Sequence, residues 1–296
     1  KTSGARGAFK PPRLDLVDVA RGAALAMMIV YHIIWDFEFF GLIDKGVASS
    51  PPMRGFSHAI ASAFLIIAGV SVALAHRGNF KRAALRKQFT KVALAAAAVT
   101  LVTAYAIPQA PITFGILHAM ALGVLITAAF AKAPWGVTMA VALAMIAAPF
   151  FIHSPTFDAP AIQWLGLGTD EPAALDWRPA LPWTGVMLFG LALARTPRGQ
   201  RFLVRADEFK ADEDAISRAL RWVGKRTLPI YLIHQPALFA ALYVVALTMG
   251  VAPQFGADRG FVEACRAECL AKGASADVCA QSCGCVVDTV KRSGRW

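Results

Sequence analysis

The chain has 296 residues, of which 57% are hydrophobic and 17% charged, with a formal net charge of +11 and a mean hydropathy of +0.52. Those proportions exclude an ordinary soluble domain, because the apolar residues come in runs long enough to cross a bilayer. The pattern is that of an all-α polytopic membrane protein, a bundle of seven transmembrane helices over residues 1–250 followed by a small Cys-rich extramembrane segment, 251–296.

The first apolar run, near residues 15–42, carries ionisable side chains inside it. At about 100° per residue, Asp18, Arg21, His32 and Asp36 fall within roughly 60° of one another, so one stripe is polar and the rest is Ala, Leu, Met, Ile and Val. Ionisable groups inside a span are costly and mark functional sites. His32 and Asp36 are four residues apart, a spacing at which a carboxylate can hold one ring nitrogen and leave the other as a base. Asp18 and Arg21 are spaced for an ion pair. Six further spans follow near residues 56–75, 89–107, 112–131, 134–152, 179–195 and 228–250, the sixth short and bounded by Pro179 and Pro182. No cleavable signal peptide is expected, since the first run is full length and contains Arg21 and Gly22. The sequence begins at a lysine, so an upstream start is expected.

Lys and Arg set the orientation. They gather in the N-terminal segment (Lys1, Arg6, Lys10, Arg13), in the second connection (Arg77, Lys81, Arg82, Arg86, Lys87, Lys91) and in the sixth, between residues 195 and 226. The opposite connections hold only Lys45, Arg54 and Arg178. The N-terminus is therefore expected inside and the C-terminus outside, and the positive charge reflects membrane topology and anionic lipid rather than a nucleic-acid partner. A bacterial inner membrane with a periplasmic C-terminus is the expected location.

The tail holds all five cysteines. Cys265 and Cys269 form one C-x-x-x-C and Cys279 and Cys283 another, so each pair presents both thiols on one helical face. A four-thiolate zinc site fits a reducing compartment, whereas an outside tail predicts a helical hairpin with crosslinks Cys265 to Cys283 and Cys269 to Cys279, no metal, and Cys285 left over.

The opening string RLDLVDVARGAALAMMIVYHIIWDFEFFGL resembles the first helix of a bacterial membrane family related to heparan-alpha-glucosaminide N-acetyltransferase, within the transmembrane acyltransferase superfamily. FLIIAGVSVALAHRG, ITFGILHAMALG, DWRPALPWTGVMLFG and LPIYLIHQPAL resemble later blocks of that family in the same order, from residue 13 to about 245. The resemblance implies transfer of an acetyl or other acyl group from cytoplasmic acyl-CoA to a hydroxyl or amine of a carbohydrate or amino sugar on the far face. His32 matches the catalytic histidine of the sugar O-acyltransferase branch, with Asp36 orienting it; GLIDKGVASS has no histidine to match the one proposed in the eukaryotic relative. Arg21, Arg77, Arg82, Arg86 and Lys87 are the expected cations for the CoA phosphates. His118, His234, Gln235 and Trp183 are expected to bind the acceptor or support the base. The loop 153–180, with Asp158, Trp164, Asp170, Glu171 and Asp176, would face the acceptor, and its acidity points to a cationic one such as glucosamine. A homo-oligomer is compatible with such a bundle. Two rival readings remain at this level, a proton-relaying transporter and a haem-bearing electron carrier built on the intramembrane histidines.

Overall fold

The computed structural model describes residues 14–75, 82–248 and 257–292. Its helices are α1 (Asp15–Phe39), α2 (Pro51–Ala75), α3 (Arg82–Ala106), α4 (Ile116–Ala129), α5 (Trp135–Phe151), α6 (Ala180–Arg195), α7 (Pro197–Ala206), α8 (Ala215–Gly224), α9 (Thr227–Thr248), α10 (Ala257–Ala271) and α11 (Ala276–Arg292). No strand occurs among the described residues. All seven apolar runs are helical, and α1, α2, α3 and α9 are long and apolar enough to cross a membrane by themselves. The other three are shorter, with 14, 17 and 16 residues in α4, α5 and α6. At 1.5 Å per residue they reach roughly 21–26 Å, against a hydrocarbon core of about 30 Å. Proline sets two of these limits. Pro134 caps α5, and Leu181, which precedes Pro182, is extended at φ −104° and ψ 132°, so the regular turns of α6 start after it.

The residues divide into two compact units, one of 1–32 and 49–237, the other of 33–48 and 238–296. The centre of the first unit is α6. Met187, Leu188 and Leu191 are fully buried and pack against Leu65 and Val72 of α2, Ala119 and Val124 of α4 and Ala142 of α5. In lipid such residues gain little from transfer out of water, so close packing has to hold the helices together. Two glycines make this contact possible. A Cβ on Gly69 would run into the Met187 carbonyl, and one on Gly190 into the Ile66 carbonyl, so α2 and α6 meet backbone to backbone. The α1–α8 crossing is built the same way: Gly22 lies against the backbone of Leu220 and Gly224 against that of Asp18.

The second unit contains Phe39 and Phe40, whose rings pack on Phe239 at 5.4 and 5.0 Å, and the α10–α11 hairpin. Gly273, at φ +85°, supplies the left-handed turn after α10. Disulfides join Cys265 to Cys283 and Cys269 to Cys279, with Cα atoms 5.9 and 5.7 Å apart. These are the pairs expected from the two i,i+4 spacings. Cys279 and Cys283 are buried between the helices, and closing loops of this size restricts the unfolded chain by an order of 3 kcal/mol. Cys285 is exposed. Alkylation of the unreduced protein is therefore expected to label one thiol per chain, and five only after reduction; five labelled thiols without reductant would refute the crosslinks. The boundary expected at residue 250 lies outside the described residues, as do Arg77, Lys81 and the N-terminal cations.

Candidate functional site

Two histidines from helices far apart in sequence meet inside the first unit. The Nδ1 of His32 on α1 lies 3.0 Å from the Met28 carbonyl and 3.2 Å from Nε2 of His234 on α9, with ring centroids 4.9 Å apart. The Nδ1 of His234 lies 2.6 Å from the Tyr231 carbonyl. A carbonyl can only accept, so the proton of His234 sits on Nδ1 and its Nε2 is a lone pair. His32 must then donate from Nδ1, shared between Met28 and His234, which leaves Nε2 of His32 as the basic nitrogen. Its orienting partner within the first unit is thus a histidine. Asp36 belongs to the second unit and is fully buried there. Gln235, next to His234, is half-buried.

Towards the start of α1, Arg21 pairs with the buried Asp18 at 2.7 Å and donates to the Ser71 hydroxyl of α2. Ser71 in turn donates to the Ile67 carbonyl at 2.5 Å. The expected ion pair is formed, and the guanidinium, 30% exposed, is held against α2. At the first turns of α3, Arg82 and Arg86 line a pocket of about 510 Å³ whose remaining wall is Ala83, Leu85, Phe89 and Leu125. Cations thus rim an apolar floor. Lys87 is exposed and does not line the pocket; Arg77 lies outside the described residues.

At the start of α4 the acidic loop turns inward. Asp176 accepts from the Ile116 N–H at 2.7 Å, capping the helix, and lies 3.8 Å from Arg178. His118 accepts from the Gly115 N–H at 3.2 Å through Nδ1, so its Nε2 donates to Thr100 at 3.2 Å. Thr100 donates to the Ile112 carbonyl at 2.7 Å. Both ring nitrogens therefore hold the α3–α4 turn together, which is a positioning task. Asp158 accepts from the Thr169 hydroxyl and N–H at 2.6 and 2.7 Å and from the Asp170 N–H at 3.1 Å. The Thr169 bonds hold its carboxyl below the usual carboxylate range. Of the acidic residues expected to face a ligand, Asp158 and Asp176 thus satisfy backbone, and Asp170 and Glu171 remain exposed.

His58, which the sequence does not single out, and Arg178, which counts there only towards topology, sit in the same region. Arg178 donates to Ser57 at 2.5 Å and to the Trp177 carbonyl at 2.8 Å, and its guanidinium lies 5.0 Å from the Trp183 ring centroid. His58 meets Trp183 edge-on at 5.4 Å. Trp183 is buried, so the open aromatic faces are elsewhere. Phe114, Trp164 and Trp177 line a groove of about 390 Å³ with Thr113 and Gln163, Trp164 stacking on Phe114 at 5.7 Å. The signals available in sequence were the polar pair Ser57–His58 opening an apolar run and a single arginine in an otherwise acidic loop.

Among the described residues no group of His, Cys, Asp and Glu is arranged to hold a metal ion. No curated protein and no solved structure matches the chain. The family model described as heparan-alpha-glucosaminide N-acetyltransferase, catalytic, matches residues 13–236, which includes every helix from α1 to α8 and both histidines of the α1–α9 pair. The chain therefore belongs to the heparan-alpha-glucosaminide N-acetyltransferase catalytic family, a family of acetyltransferases.

Proposed function

We propose that this protein transfers an acetyl or other acyl group from cytoplasmic acyl-CoA to a hydroxyl or amine of a glycan or amino sugar on the outer face of a bacterial inner membrane. In this reading all seven apolar helices cross the bilayer, with the N-terminus inside and the crosslinked hairpin in the periplasm. The observation that carries it is the His32–His234 contact with each Nδ1 against a backbone carbonyl, which leaves Nε2 of His32 as the nitrogen that can act as a base. In the transfer step the acceptor's O–H or N–H proton goes to that nitrogen, the new C–O or C–N bond forms, the thioester C–S bond breaks, and the thiolate leaves to be protonated.

Arg82 and Arg86 supply charge for the CoA phosphates above an apolar floor, with Arg21 further into the bundle. Arg21 and His32 are separated by about 16 Å of helix rise, a span an extended pantetheine arm can bridge. The groove of Phe114, Trp164 and Trp177 suits the flat face of a sugar ring, and Gln163 its hydroxyls.

Arg82→Gln with Arg86→Gln tests the donor site in the purified full-length protein. Exposed charges contribute modestly, so the pair is expected to raise KM for acetyl-CoA about tenfold with little change in kcat, and the wild-type KM is expected to rise with salt. An unchanged, salt-insensitive KM would leave these arginines with a topological role alone.

A further inference from the structure

The connection between α6 and α9 folds into two short helices that carry a second apolar surface. On α8 the inward side is fully accounted for: Gly224 is buried against the Asp18 backbone, Val223 packs on Leu25 and its neighbours, and Arg221 pairs with Asp15 at 2.7 Å and with Asp212. The outward side is not polar. Ile216 is 74% and Trp222 55% exposed, and with Ala215 and Ala219 they form one stripe at helical spacing. On α7, Leu203 and Ala206 are buried while Phe202 and Val204 are exposed.

Charge identifies what meets these faces. Every ionisable residue within α7 and α8 is arginine: Arg198, Arg201 and Arg205 on the first, Arg218 and Arg221 on the second. The acidic residues Asp207, Glu208, Asp212, Glu213 and Asp214 lie between the helices, where Asp214 caps α8 by accepting from the Ser217 N–H at 2.7 Å. Arg226 sits over the Trp222 ring at 4.3 Å, and Arg218, one turn before Trp222, donates to the Asp212 carbonyl at 3.3 Å. Exposed Trp and Ile flanked by guanidinium groups match a boundary between acyl chains and phosphates.

We infer that the outward face of α8 docks on anionic phospholipid headgroups at the membrane surface, with the exposed Phe202 of α7 as a further apolar contact. Trp222 and Ile216 enter the acyl boundary, and Arg218 and Arg226 hold the phosphates. Because α8 presses on α1 at Asp18 and Gly22, on either side of Arg21, lipid docked there also steadies the start of the helix that carries His32.

Full-length protein in nanodiscs of phosphatidylcholine alone, or with about one third phosphatidylglycerol, tests this. Phosphatidylglycerol is expected to raise Tm by a few degrees. R218Q/R226Q should keep its Tm in phosphatidylcholine and lose the increment, while R218K/R226K retains it. Native mass spectrometry should find fewer phosphatidylglycerol molecules on R218Q/R226Q than on the wild type. Equal Tm in the two lipids, or an increment surviving in R218Q/R226Q, would overturn the inference. So would a dimer that dissociates in Trp222→Gln with no retained phosphatidylglycerol, which would assign the face to a second copy of the chain.

Discussion

His32→Ala is expected to lower acyl transfer by roughly 10²–10⁴-fold, the usual contribution of a positioned general base, while acetyl-CoA still binds within about twofold of wild type. The separation follows from the geometry. His32 lies well along α1 from Arg21, and the arginine pocket at the start of α3 is lined by neither histidine. His234 acts through His32 by accepting its Nδ1–H, so His234→Ala should cost less. His234→Gln, which restores an acceptor on α9, should recover part of that loss; a merely structural role would not discriminate in this way. Full turnover by His32→Ala, measured as thiol release and acyl acceptor together, would remove the base assignment.

Gly190→Leu is expected to destabilise the protein by about 3 kcal/mol or more, and in practice to prevent recovery of folded protein. The cause is where the new atoms would go. A Cβ at Gly190 meets the backbone of Ile66 rather than the end of a flexible side chain, and α6 sits among α2, α4 and α5, so relief at one contact strains another. Gly69→Leu should behave similarly from the other side of the contact. Gly55→Ala and Gly136→Ala provide the contrast, because nothing lies within 4 Å of either added Cβ; these should be neutral or stabilising by up to about 1 kcal/mol through the unfolded state. Thermal unfolding in detergent distinguishes the two classes, and a Gly190→Leu protein with wild-type Tm would refute the close crossing.

Which parts of this architecture could be read in advance follows from the range of the forces involved. The seven helices are a matter of local hydrophobic runs, and their ends at Pro134 and Pro182 are local sterics. The Cys265–Cys283 and Cys269–Cys279 pairing was legible because i,i+4 spacing within each helix leaves few ways to fold the hairpin back on itself. The partner of His32 was not. Along α1 the only candidate within reach is Asp36, whereas His234 is 202 residues away, and no local pattern encodes that meeting. The same holds for Asp176, which read as ligand-facing acidity but caps α4 from 60 residues away. Helices α7 and α8 lie in what the sequence shows as a basic connection: their apolar and arginine positions do recur at helical spacing, but ten residues each is far too short for a span, and the density of Lys and Arg draws attention to topology instead.

The hydrogen-bonded string that starts at His32 stops at a peptide carbonyl, that of Tyr231. An imidazole can pass a proton along, but an amide oxygen cannot take it up and release it on the other side. Under the proposed function the protein sits in an energised membrane, and its proton chemistry there must not become a leak for the gradient across it. In that setting, ending this string on backbone gives the pair a single door: a proton taken at Nε2 of His32 leaves by the same nitrogen rather than passing on beyond Tyr231.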